Sequence, residues 1–91
     1  MERVFTWDEG KNQKLLWERR ISFEAIVSYI EAGAVVAVIP GLGKFSHQKQ
    51  FLVAANNYIY IVPFVEDENR IFLKTIIPSR KMTKRFLSGG I

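Results

Sequence analysis

Apolar residues recur along the chain at two different spacings, and the change of spacing divides it into elements. Phe23, Ile26, Val27 and Ile30 fall at i, i+3, i+4 and i+7, the one-sided pattern of an amphipathic helix. Ser22 is a favourable N-cap for it, Ile21 and Ile26 occupy the two positions of a hydrophobic staple, and Gly33 suits its end. A more polar helix is predicted ahead of it, over residues 8–20. Leu15 and Leu16 are its core candidates, and Trp17 either covers core or is exposed. Thr6 and Glu9 have capping-box spacing, Asp8 and Glu9 suit a helix N-terminus, and residues 4–7 read as a short strand.

From Val35 the residues become β-branched and the reading changes to strands. Residues 35–39 are extended, and Pro40, Gly41 and Gly43 then break regular structure ahead of a polar loop, 44–50, holding His47. Strands over 51–55 and 58–64 flank Asn56-Asn57, a two-residue hairpin turn that tolerates positive φ. Pro63 predicts a bulge or the end of regular pairing. The last strand, 70–77, alternates with Ile71, Leu73, Thr75 and Ile77 on one face and Phe72, Lys74 and Ile76 on the other. Pro78 stops it, and Ser79 caps a short helix over 80–87 with Met82 and Phe86 on one side. The expected fold is α+β: two N-terminal helices packed on one face of an antiparallel sheet of about four strands, then a short C-terminal helix. One domain covers residues 1–91, without internal repeats.

Composition narrows the function classes. An apolar content of 48% can fill one core, and a charged content of 24% argues against wholesale disorder. The net charge is +4, but its distribution says more. From Arg70 onward every charged residue is basic: Arg70, Lys74, Arg80, Lys81, Lys84 and Arg85. That asymmetry points to an anionic partner, although basic residues also suit the last turn of a helix. The absence of cysteine excludes disulfides and thiolate metal sites and fits a reducing cytoplasm. Residues 1–10 are polar and acidic, unlike a signal peptide. The apolar run 32–42 is broken by glycine and proline and is too short for a bilayer, so no membrane partner is expected.

Most catalytic motifs fail on their spacing. With one histidine and no cysteine, metal binding falls to Glu66-Asp67-Glu68, which lacks calcium-loop spacing and reads as a solvated turn. No metal or cofactor is expected. A P-loop at Gly41–Lys44 would need glycine at Val38 and Ser or Thr at Phe45. No serine sits in a nucleophile elbow, and His47 is an exposed histidine or a general acid–base. The basic region remains. Lys74 puts a charge inside an apolar strand, with Arg70 opening that strand and Arg80 and Lys81 opening the next helix. Tyr58 and Tyr60 on the neighbouring strand either stack with bases or belong to the core. Cations beside aromatics on a sheet can hold single-stranded RNA, and fixed cations favour phosphorane charge during attack by the ribose 2′-hydroxyl. The alternative is that Lys74 snorkels to water.

Two stretches resemble a known family. FTWDEGKNQKLLWERRISFEAIV carries W-D-x-x-K-N and I-S-F-E, and RIFLKTIIPSRKMTKRFL carries a strand followed by S-R-K-x-T and a basic helix. Together they resemble the BrnT-like toxins of bacterial type II toxin–antitoxin systems, small relatives of the RelE/ParE fold. The likeness runs from Phe5 to Leu87. It implies a ribonuclease toxin that slows translation, acting on RNA free or on the ribosome. It also implies a cognate antitoxin through which alone the complex would meet DNA. By position it implies Lys74, Arg80 and Arg19 as catalytic candidates and Lys81, Lys11, Arg20, Arg70 and Lys84 as RNA contacts. Where many members have His-Gly before I-S-F-E, this chain has Arg19 and Arg20. Arginine clamps phosphate well but stays protonated and shuttles protons poorly. A non-catalytic module that docks an acidic antitoxin through its basic face is the competing reading, and a plain single-strand binder a third.

Overall fold

Two adjoining polar caps set up the first half of the chain. In a computed structural model, which describes residues 3–41, 43–45 and 47–87, strand β1 (Val4–Thr6) leads into helix α1 (Glu9–Arg19). Asp8 is the N-cap and accepts the Lys11 N–H at 2.8 Å. The cap is therefore Asp8 rather than Thr6, which stays in β1. Helix α2 (Phe23–Glu31) is capped by Ser22, which accepts the Ala25 N–H at 3.1 Å. Ile21 and Ile26 are both buried, as a staple requires. Gly33, at φ 87°, ends α2 in a Schellman motif: its N–H reaches Ile30 O, and that of Ala34 reaches Tyr29 O.

Asn12 locks the two helices together. It is 2% exposed, its Oδ1 accepts the Phe23 N–H at 2.8 Å, and its Nδ2 donates to Glu24 at 2.7 Å. Trp7 stacks on Phe23 with ring centres 5.6 Å apart. The residues of W-D-x-x-K-N and I-S-F-E thus form one helix-pair clasp.

The sheet has six strands, not about four, and is mixed rather than antiparallel. After α2 come β2 (Val35–Pro40), a 3₁₀ turn (Gly43–Phe45), β3 (Lys49–Ala55), β4 (Tyr58–Glu66), β5 (Arg70–Leu73), β6 (Ile77–Pro78) and helix α3 (Arg80–Leu87). The order is β1-β5-β4-β3-β2, with β6 also on β4. β1 runs parallel to β5, pairing Phe5 with Ile71. A three-residue strand carries no local mark of its distant partner, so this pairing was not expected. β3 and β4 meet through Asn56 and Asn57, at φ 53° and 60°, the type I′ geometry that suits a two-residue hairpin.

Pro63 lies opposite a break in the last strand. Lys74 donates its N–H to Pro63 O at 2.8 Å, and the next registered pair is Ile61 with Ile77. Two steps on β4 thus face three on the other strand, a one-residue bulge. The extra residue inverts the alternation. Ile76, expected beside Phe72 and Lys74, is fully buried in the helix-side core, whereas Ile77 is exposed on the outer face. Phe72 and Lys74 keep the predicted common face.

The main core lies between α1–α2 and the inner sheet face, around Phe23, Ile26, Val53, Val62, Leu73 and Ile76. Leu52 and Ile59 are fully buried on the other face. Helix α3 packs against β4 there, with Ser79 N–H on Ile59 O at 2.9 Å and Ile59 N–H on Thr83 Oγ1 at 2.8 Å. Among the described residues no helix is long and apolar enough to cross a membrane.

Candidate nucleic-acid interface

The basic C-terminal segment is tied to one strand at both ends. Lys74 is held at Pro63 and Ser79 at Ile59, four residues apart on β4, roughly 13 Å of strand. Lys74 projects from the outer face, opposite α1 and α2, and is exposed. Arg80 and Lys81 open α3 just beyond the second tether and are also exposed. Among the described residues none of the three has a carboxylate within ion-pair distance.

Arg19 is placed differently. Its guanidinium, coming from the α1 side of the sheet, donates to the carbonyl of Ile76. The bulge takes that carbonyl out of the strand ladder, and Arg19 satisfies it. Arg19 and Lys74 therefore approach the bulge from opposite faces. Arg20 takes a left-handed conformation, φ 59°, at the C-cap of α1 and borders a depression of about 450 Å³ with Gln13, Leu16 and Trp17. Lys11 is half-buried in the first turn of α1, Lys84 lies on α3, and Arg70 is exposed at the start of β5. Tyr60 packs on the helix-side core, with Tyr58 5.9 Å from it, so neither shares the face of Lys74. His47 is exposed in the turn before β3, across β4 from Lys74.

The far end of the sheet is electrically balanced. Glu66 accepts from Lys49 at 2.8 Å and also from Arg3. The Lys49 hydrogen bond, assisted by Arg3, holds its carboxyl below the ordinary glutamate range. Asp67 is held low as well, because the backbone N–H groups of Asn69 and Arg70 bind its charged form. Sequence reasoning missed this cluster and the Asn12 clasp. Asn12 was recognisable, since it sits three residues before Leu15 on the same face of α1. The pairing of Glu66 with Lys49 depends on register, which local pattern does not carry.

Among the described residues no group of three or more His, Cys, Asp or Glu side chains is placed to hold a metal ion. Comparison with family models, curated proteins and solved structures gives no match.

Proposed function

We propose that the chain is the toxin of a type II toxin–antitoxin pair, a metal-independent endoribonuclease of BrnT-like type acting in the cytoplasm. The observation that carries this reading is the double tether that brings Lys74, Arg80 and Lys81 to one strand with no neutralising carboxylate among the described residues. Solvent takes the proton of the ribose 2′-hydroxyl as its oxygen attacks the adjacent phosphorus, the bond to the 5′-oxygen breaks, that oxygen takes a proton from solvent, and a 2′,3′-cyclic phosphate and a 5′-hydroxyl result. Lys74 and Arg80 stabilise the charge on the phosphorane oxygens, and Lys81 holds a flanking phosphate. Arg19 has a supporting role, because its guanidinium is engaged at Ile76.

A second reading is a non-catalytic module that docks an acidic antitoxin. It is favoured by Phe86 and Leu87, 40% and 39% exposed beside the cations of α3, since protein interfaces combine apolar centres with charged rims. Induced expression separates the two. The toxin arrests growth and leaves fragmented RNA. A docking module leaves RNA intact.

A further inference from the structure

We propose that the depression formed by Thr6, Val65, Glu66, Asp67, Arg70 and Phe72 holds one unstacked base of single-stranded RNA. The inference rests on the ribonuclease reading and adds a base-recognising subsite to it. The depression has a volume of about 280 Å³. That falls just under the roughly 300–1,000 Å³ of sites for drug-sized ligands, and suits a group of one or two rings.

The lining supplies what a base needs. Phe72 is 36% exposed on the outer face, between Thr6 of β1 and Val65 of β4, and offers a ring for stacking. Both oxygens of Glu66 are occupied by Arg3 and Lys49. Asp67 Oδ1 accepts the backbone N–H groups of Asn69 and Arg70 at 2.8 and 2.9 Å, which fixes the carboxylate in place. Its Oδ2 accepts no hydrogen bond among the described residues, so Asp67 is the acceptor available to an exocyclic amino group. Arg70 can donate to a base carbonyl or ring nitrogen on the same edge.

The position agrees with the neighbouring cations. Phe72 and Lys74 are two residues apart on one strand face, about 7 Å. A base stacked on Phe72 directs its own phosphate toward Lys74. Asp67, which has no cation within ion-pair distance among the described residues, disfavours phosphate or an acidic protein segment in the depression itself. Cytosine, adenine and guanine carry an exocyclic amino group, and uracil does not, so uracil is the disfavoured base.

The test is a nuclear magnetic resonance titration of the intact chain with cytidine and uridine 5′-monophosphates, beside an RNA cleavage assay. Cytidine monophosphate is expected to shift the amide signals of Thr6, Arg70 and Phe72, with a smaller response to the uridine nucleotide. Phe72→Ala and Asp67→Asn, each confirmed folded by its spectrum, should weaken that response, whereas Trp17→Ser, on the exposed surface of α1, should keep it. Absent shifts, shifts confined to other residues, or equal responses to both nucleotides would overturn the subsite. Nucleotide binding at Phe72 without RNA cleavage would leave the subsite standing and remove the nuclease reading. Cleavage without these shifts would do the reverse.

Discussion

The side-chain carbonyl of Asn12 accepts the backbone N–H of Phe23 at 2.8 Å in a site with almost no solvent. This N–H is one of the donors that a helix start leaves without an intrahelical partner. Asn12→Ala orphans it, while the exposed Glu24 carboxylate turns to water. The expected loss is about 1–3 kcal/mol, read as a lower urea midpoint with an unchanged slope. An unchanged midpoint would show that the clasp contributes nothing.

Arg19 supports the bulge from the α1 side. Arg19→Ala should lower stability by about 1 kcal/mol, because the Ile76 carbonyl loses a charged donor at a partly exposed site. Cleavage per folded molecule should stay close to the parent value. Arg80→Ala should show the opposite pattern, with stability kept and cleavage lost. An Arg19→Ala protein of parental stability and no activity would return Arg19 to the catalytic group.

Much of this fold is legible locally. Ile21 and Ile26 mark the α2 entry, Gly33 its exit, and Asn56-Asn57 the hairpin, because each is a short-range device with a distinctive residue type. Pro63 announced a disturbance, yet not its consequence, because the direction of Ile76 depends on where the extra residue falls in a partner strand. The parallel pairing of β1 with β5 and the engagement of Arg19 are long-range. Of the site, the list of cations could be read from the chain, and their sharing of β4 as an anchor could not.

Trp17 is 85% exposed and settles an open question about α1, since it does not belong to the core. Trp17→Ser should change unfolding free energy by no more than about 0.5 kcal/mol. A loss of several times that amount in a denaturant titration would contradict its exposed position.

Glu66 gives the protein a pH dependence of defined sign. Its folded pKa lies below the unfolded one, mainly through the Lys49 hydrogen bond. The stabilisation is complete above the unfolded glutamate pKa and is lost as pH falls through the lower folded value. Glu66→Gln should therefore be less stable than the parent at neutral pH, and the two should converge in acid. A difference that persists unchanged into acid would assign the effect to packing instead.

The most direct measurement is cleavage of end-labelled single-stranded RNA by the purified chain in excess EDTA, with Arg80→Ala alongside. The parent is expected to give fragments ending in 2′,3′-cyclic phosphate, and Arg80→Ala, equally folded, to cut at least about 100-fold more slowly. RNA left intact by the parent with and without ribosomes, or cut at the parental rate by Arg80→Ala, would contradict the assignment of the tethered cations to catalysis.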